Sequence, residues 1–316
     1  MGRKAYFLNF LLLFLYSCSS GSLRKSDKSN KPDIVVEESE EIPTIDVPME
    51  DSSRELRPVK NWAVWVRGVA VDSFSGLGFM QQMESMGYSL SKVAGTGMGC
   101  WIAMSWALRN KGNYAEWQAM KFDSWDGLNP SFLDRLSGEG RKENFLKYFK
   151  KLQSSQKESL YKIPVECPLY DKSSRSLDLA RDLNLEERLY EEFNLSLLEF
   201  GNFPEHPQYE SGARLRSHGE AFLESLSEGF RTEKDETVWL ILETSANHRL
   251  WGSESGIVKG VTKGGVRWIR FPLASELNIS AQQLKDFRLR RRWLLEGRRD
   301  AKSFLHAPEI KDFLGL

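Results

Sequence analysis

Five residues, Gly95-Thr96-Gly97-Met98-Gly99, constrain this chain more than any others. They join the short β-type run Lys92-Val93-Ala94 to a strongly apolar helical run, Cys100 to Leu108, with no loop between. Glycines at alternate positions permit the sharp turn and close backbone approach that a strand passing straight into a helix requires. The helix that starts there aims unpaired N–H groups at the turn and favours negative charge in front of it. Upstream, Ala63 to Val66 reads as a buried strand that ends in a loop at Arg67-Gly68. Leu77 to Met86 reads as a helix, with Leu77, Met80, Met83 and Met86 three apart and Gly87 at its end. Strand, helix, strand, helix in that order predicts an α/β fold, three layers deep, with a mostly parallel central sheet. Later strands are predicted at Thr237–Leu242 and Val266–Phe271, and basic helical segments at Lys285–Glu296 and Arg298–Leu305.

The start of the chain has a different character. Arg3 and Lys4 precede an apolar run from Ala5 to Tyr16, broken only by Asn9. A bilayer span needs roughly 20 apolar residues, so this run fits the apolar region of an export signal. Leu15-Tyr16-Ser17-Cys18 follows and resembles a lipobox, in which a small residue precedes a cysteine that is diacylated before cleavage. The alternatives are an uncleaved anchor, or an ordinary signal peptide cut near Ser20 or Ser22. Ser19 after the cysteine implies, by resemblance to lipoproteins, an outer-membrane destination in the bacterial cell envelope. From Ser19 to about Arg57 the chain is rich in Ser, Lys, Asp and Glu, with Pro32, Pro43 and Pro48, and has no helical or strand period. Such a segment buries too little apolar surface to order itself and reads as a tether. The expected organisation is a signal peptide over 1–17, a lipidated tether over 18–57 and one α/β domain over 58–316.

Composition removes several function classes. Lys plus Arg and Asp plus Glu stand at 44 each, so the global charge implies no nucleic-acid partner. Three cysteines without a C-x-x-C pair, and four histidines without ligand spacing, imply no metal site. No cofactor motif is present beyond the glycine-rich turn, which alone is weak evidence for a nucleotide.

The turn and the helix before it carry a more specific resemblance. Gly78-Phe79-Met80-Gln81-Gln82-Met83-Glu84-Ser85-Met86-Gly87, then Lys92-Val93-Ala94-Gly95-Thr96-Gly97-Met98-Gly99, resembles the patatin-like phospholipase family. That family carries Gly-x-Leu-x-x-Leu-x-x-x-Gly followed by Val-Ala-Gly-Thr-Ser-x-Gly. The resemblance implies a patatin-like domain with its nucleophile elbow at Gly95, Thr96, Gly97, Met98 and Gly99. Gly97 stands where the family has its catalytic serine. The family's oxyanion loop, Gly-Gly-Gly-x-Arg/Lys-Gly, falls on Gly68-Val69-Ala70-Val71-Asp72-Ser73, where Gly68 remains, Val69 and Ala70 replace glycines and Asp72 replaces the basic residue. The family's catalytic aspartate falls on Ser211 of Ser211-Gly212-Ala213, or on Glu210 after a one-residue shift. Weaker matches are the strand Lys162-Ile163-Pro164-Val165 and the final helix around Leu294–Ala301.

The resemblance therefore implies a catalytically inactive patatin-like protein that binds a lipid or an envelope protein. The alternative is a working acyl hydrolase with a non-standard nucleophile. Cys100 lies past the elbow in an apolar helix and reads as a buried, inert thiol. A disulfide with Cys167 stays open, since the sequence does not bring the two together. Ser73 and Ser75 read as ordinary loop serines, Asp126-Gly127 as a turn, His218 as an exposed histidine, and the C-terminal arginines as a solvated helix face, with contact to anionic lipid headgroups as the alternative. The anchor is directly testable. Cys18→Ser is expected to abolish incorporation of labelled fatty acid in cells; label persisting in the variant would remove the lipoprotein reading.

Overall fold

The computed structural model describes residues 59, 61–68, 71–120, 143, 146, 161–197, 206–212, 220–227, 237–244, 256–274 and 286–316. Cys18, the tether, Val69, Ala70, the Asp126-Gly127 pair and His218 lie outside these residues. In chain order the elements are β1 (Asn61–Gly68), a 3-10 turn (Val71–Ser73), α1 (Phe74–Ser85), β2 (Leu90–Gly97), α2 (Met98–Ala107), α3 (Gly112–Met120) and β3 (Val165–Glu166). There follow β4 (Leu169–Asp171), β5 (Ser176–Asp178), α4 (Leu185–Leu197), β6 (Tyr209–Ser211) and α5 (Glu220–Ser227). The chain continues with β7 (Thr237–Thr244), β8 (Val258–Val261), β9 (Arg267–Leu273), α6 (Phe287–His306) and α7 (Pro308–Leu314).

The main sheet has six strands in the order β3-β2-β1-β7-β9-β8. All neighbours are parallel except β8, which pairs antiparallel with β9 at the edge. This is the α/β class with a mostly parallel sheet that the strand and helix order predicts. Parallel sheets are covered on both faces, so their strands are apolar on both sides. In β1, Val64 and Val66 enter one core, shared with Phe79 of α1, Ile102 of α2 and Phe304 of α6. Ala63 and Trp65 enter the opposite core, with Phe222, Leu223 and Leu226 of α5. Helices on both faces make the three layers. A second, small antiparallel sheet, β5-β4-β6, is not among the elements that the sequence predicts. Its strands are only three residues each, too short for alternation to stand out.

The two basic helical segments expected at the C-terminus are one continuous helix. Asp286 caps α6, its Oδ1 accepting from the Arg288 and Leu289 N–H groups at 2.8 and 3.2 Å. Gly297 does not end the helix; it is where α6 meets α1. A Cβ at Gly297 would lie 1.8 Å from the Ser75 carbonyl oxygen, and one at Gly78 would lie 2.0 Å from the Leu294 carbonyl oxygen. The two backbones therefore touch where their glycines cross. The expectation of a solvated arginine face is also corrected at two positions. Arg290 is fully buried and donates to the Met120 carbonyl at 3.2 Å. Arg298 donates to Gln81 Oε1 at 2.7 and 3.1 Å and pairs with Glu116 at 3.2 Å. Ser73 and Ser75 are likewise buried, in the 3-10 turn and in α1, where Ser75 Oγ donates to the Asp72 carbonyl at 2.6 Å.

Cys100, in the first turn of α2, and Cys167, between β3 and β4, form a disulfide with Cα atoms 5.4 Å apart. Both are fully buried. The bond closes a loop over a sequence separation of 67, for which the chain-entropy account gives about 4 kcal/mol. It fastens the helix of the elbow to the small sheet.

The crossing glycines give a prediction of opposite sign to helix propensity. Gly297→Ala in a free helix face would gain about 1 kcal/mol. Here, and at Gly78, alanine is expected to cost about 1–3 kcal/mol through overpacking, read as a lower urea midpoint. A raised midpoint in either variant would contradict the backbone contact.

Candidate functional site at the strand-to-helix elbow

Gly97 is the last residue of β2 and the N-cap of α2, with φ 61° and ψ −135°. That positive φ suits glycine and is strained for a side-chain-bearing residue. The elbow is pressed against its surroundings. A Cβ at Gly95 would lie 2.1 Å from the Gly99 carbonyl oxygen, and a Cβ at Gly99 would lie 2.1 Å from the Val66 carbonyl oxygen. The flanking glycines thus let β2, α2 and β1 approach at backbone distance. Thr96 and Met98 are fully buried on either side of Gly97. Gly68, the end of β1, stands in register with Gly97. Asp72 follows in the 3-10 turn and is also fully buried.

The residue that dominates the elbow is Glu192 of α4. Its Oε2 accepts from the Gly97 N–H at 2.5 Å and from Ser211 Oγ at 2.6 Å. Its Oε1 accepts from the Gly212 N–H at 3.0 Å. Glu192 is fully buried, and Ser211 is 3% exposed. The structure therefore brings together two of the positions that the sequence singles out, Gly97 and Ser211, through a third that it does not. A carboxylate is present at the elbow, but it comes from α4 rather than from position 211. One sequence signal pointed to it: Leu185, Leu189 and Glu192 share one helical stripe, and Leu189 is fully buried. A glutamate on a core-facing stripe has to find donors inside the protein.

A second buried charge cluster lies beside the first. The strand order reverses between β1 and β7, and in open α/β sheets ligands bind at the carboxyl ends of the strands at such a point. Here Arg67 of β1 and Glu243 of β7 face each other in register and form an ion pair, Nη1 to Oε1, of 3.1 Å. Arg270 Nε approaches the other oxygen of Glu243 at 4.0 Å. Burial lowers the Arg67 pKa, and the carboxylates of Glu243 and Glu192 act against that shift. Away from the elbow, Leu177, Leu179, Phe222, Asp178, Arg181, Asp182 and Tyr209 line a cleft of about 410 Å³. Burial and the neighbouring Asp182, which accepts the Tyr209 hydroxyl proton at 2.9 Å, push the Tyr209 phenol up to about 12. Among the described residues no cluster of His, Cys, Asp and Glu is arranged to hold a metal ion, and no helix is long and apolar enough to cross a membrane.

Removing the Glu192 charge tests how much the elbow depends on it. Glu192→Gln keeps one acceptor oxygen but turns an NH2 group towards donors, and is expected to cost about 2–3 kcal/mol. Ser211→Ala removes a single hydrogen bond and is expected to cost about 1 kcal/mol. Urea unfolding of both variants checks the ranking; equal or reversed effects would contradict the central place given to Glu192.

No protein-family model and no curated protein matches this sequence. Among solved structures the chain is similar to the type III effector protein ExoU, with a TM-score of 0.37 and 9% identity over 78% of this chain and 52% of that one. It is also similar to the complex of full-length SpcU with full-length ExoU from the type III secretion system of Pseudomonas aeruginosa. There the TM-score is 0.37 and the identity 13%, over 79% of this chain and 53% of that one. The chain thus spans about half the length of the structures it matches.

Proposed function

We propose that this chain is an envelope lipoprotein, anchored through Cys18, whose patatin-like domain is catalytically inactive and serves to bind a lipid or an envelope protein. One observation carries the reading: the N–H of Gly97, at the position of the family's nucleophile, donates to the internal carboxylate of Glu192. Covalent acyl transfer needs an activated oxygen or sulfur and free donors where the oxyanion forms. Glycine supplies no nucleophile, and one backbone donor at the elbow, the Gly97 N–H, is already engaged. The buried Cys100–Cys167 disulfide supports export, because such bonds persist in oxidising compartments. The outer membrane is the proposed destination, on the strength of Ser19.

A second reading, an acyl hydrolase with a non-standard nucleophile, is favoured by one contact. Ser211 Oγ donates to a carboxylate at 2.6 Å, the pairing an activated hydroxyl requires. Against it, neither group is open to an ester, and Glu192 fills the space in front of the elbow N–H. The purified chain is expected to show no esterase or phospholipase turnover above background and no labelling by a fluorophosphonate, while mass spectrometry looks for a lipid that co-purifies. Hydrolysis that disappears in Ser211→Ala would overturn the inactive reading and establish the second.

A further inference from the structure

The exposed side of α6 carries a pattern that the elbow does not explain. The helix has 20 residues, about 30 Å of axis, and its inner side is fixed against α1 by the glycine crossing. Arg288, Arg291, Arg292, Arg299 and Lys302 are exposed along the outer side. Interleaved with them are Phe287 and Leu295, 48% and 55% exposed. Among the described residues, the acidic groups on α6 and its cap are engaged: Asp286 caps the helix, Glu296 pairs with Arg299, and the half-buried Asp300 accepts from the Ala274 N–H. Solvated helix faces do not need large apolar side chains among their cations. A helix lying in a membrane interface does, because its apolar groups enter the acyl boundary while long basic side chains reach the headgroups.

We propose that this face of α6 docks on an anionic phospholipid surface, so that the domain lies against the membrane rather than hanging from its tether. Charge complementarity selects the occupant: a row of cations is drawn to phosphatidylglycerol-type headgroups and indifferent to zwitterionic ones. The proposal rests on the lipid-anchor reading only for what brings the membrane near.

The full chain, bound to vesicles, provides the test. With Cys100 and Cys167 joined and Cys18 lipidated, Ser303→Cys is the sole free thiol, and its exposed position beside the basic row accepts a fluorophore. Spin-labelled headgroups should quench that fluorophore in vesicles containing phosphatidylglycerol and not in pure phosphatidylcholine, and added salt should relieve the quenching. Arg288→Glu, Arg291→Glu and Lys302→Glu together should shift the docked-to-undocked ratio by at least about a hundredfold. Arg288→Lys with Arg291→Lys should leave it unchanged, which separates lost charge from lost fold. Quenching that is equal in both vesicle types, or retained by the charge-reversed variant with its melting temperature unaltered, would overturn the proposal. Flotation reports the anchor separately. If Cys18 carries no lipid, flotation becomes the readout for the face: the chain then floats with phosphatidylglycerol vesicles alone if the face docks, and with neither vesicle type if it does not.

Discussion

The layers of this domain are held at backbone contact, and that closeness fixes everything built on the sheet. Val66, near the end of the central strand, is approached closely from two sides. A Cβ at Gly76 would lie 2.6 Å from its side chain, and one at Gly99 would lie 2.1 Å from its carbonyl oxygen. The helices before and after β2 thus close on the same residue. α6 then closes on α1 through Gly78 and Gly297. Because interiors are close-packed, a displacement at the outer crossing is passed inward. A helix pushed away from Ser75 would move the turn that leads out of Gly68, in register with Gly97. The elbow owes its shape to contacts well away from it.

Within that frame, electrostatics decides what the elbow can hold. Burying a carboxylate costs several kcal/mol unless donors replace water. Glu192 draws on the Gly97 and Gly212 backbone N–H groups and the Ser211 hydroxyl, and the first of these belongs to the N-cap of α2, where the helix dipole favours negative charge. The same features that would welcome an external anion or an oxyanion welcome Glu192 instead. At the neighbouring strand ends, Arg67, Glu243 and Arg270 meet one another. Among the described residues, the elbow and the neighbouring strand ends thus both hold the protein's own charges.

The sequence revealed the parts that depend on short-range pattern. β1, β2, β7 and β9 are strands of eight, eight, eight and seven residues built on shorter β-type runs, and the run into the glycine-rich turn carries its own geometry. What it hid depends on long-range partners. Gly297 looks like a break because glycine weakens an isolated helix, and only the backbone of α1 gives it a purpose. Arg290 looks like surface until α3 supplies the Met120 carbonyl. Cys100 and Cys167 meet only after β2, α2 and β3 are in place. Glu192 belongs to an acidic run, Glu186-Glu187 and Glu191-Glu192, in which its stripe with Leu185 and Leu189 marks it as inward but nothing local names its donors, Gly97, Ser211 and Gly212. Three-residue strands such as β4 and β6 are defined by pairing rather than by propensity.

The pairing of Ser211 with Glu192 has the composition of an activated nucleophile but not its arrangement. A general base works by taking a proton, and Glu192 would lose its charge in doing so. The Gly97 and Gly212 N–H groups would then face a neutral acid, forfeiting the charge-assisted bonds that offset its burial. In a working hydrolase the donors stabilise charge on the substrate oxygen, so proton transfer to the base and formation of the oxyanion reinforce each other. Here the base and the occupant of the donors are one group, and each role opposes the other. The contact is thereby explained as a cap that satisfies the elbow from within. Beyond the elbow, the cleft beside Tyr209 and the outer side of α6 carry charged and apolar side chains together, and on the proposed reading these surfaces are where binding is to be sought.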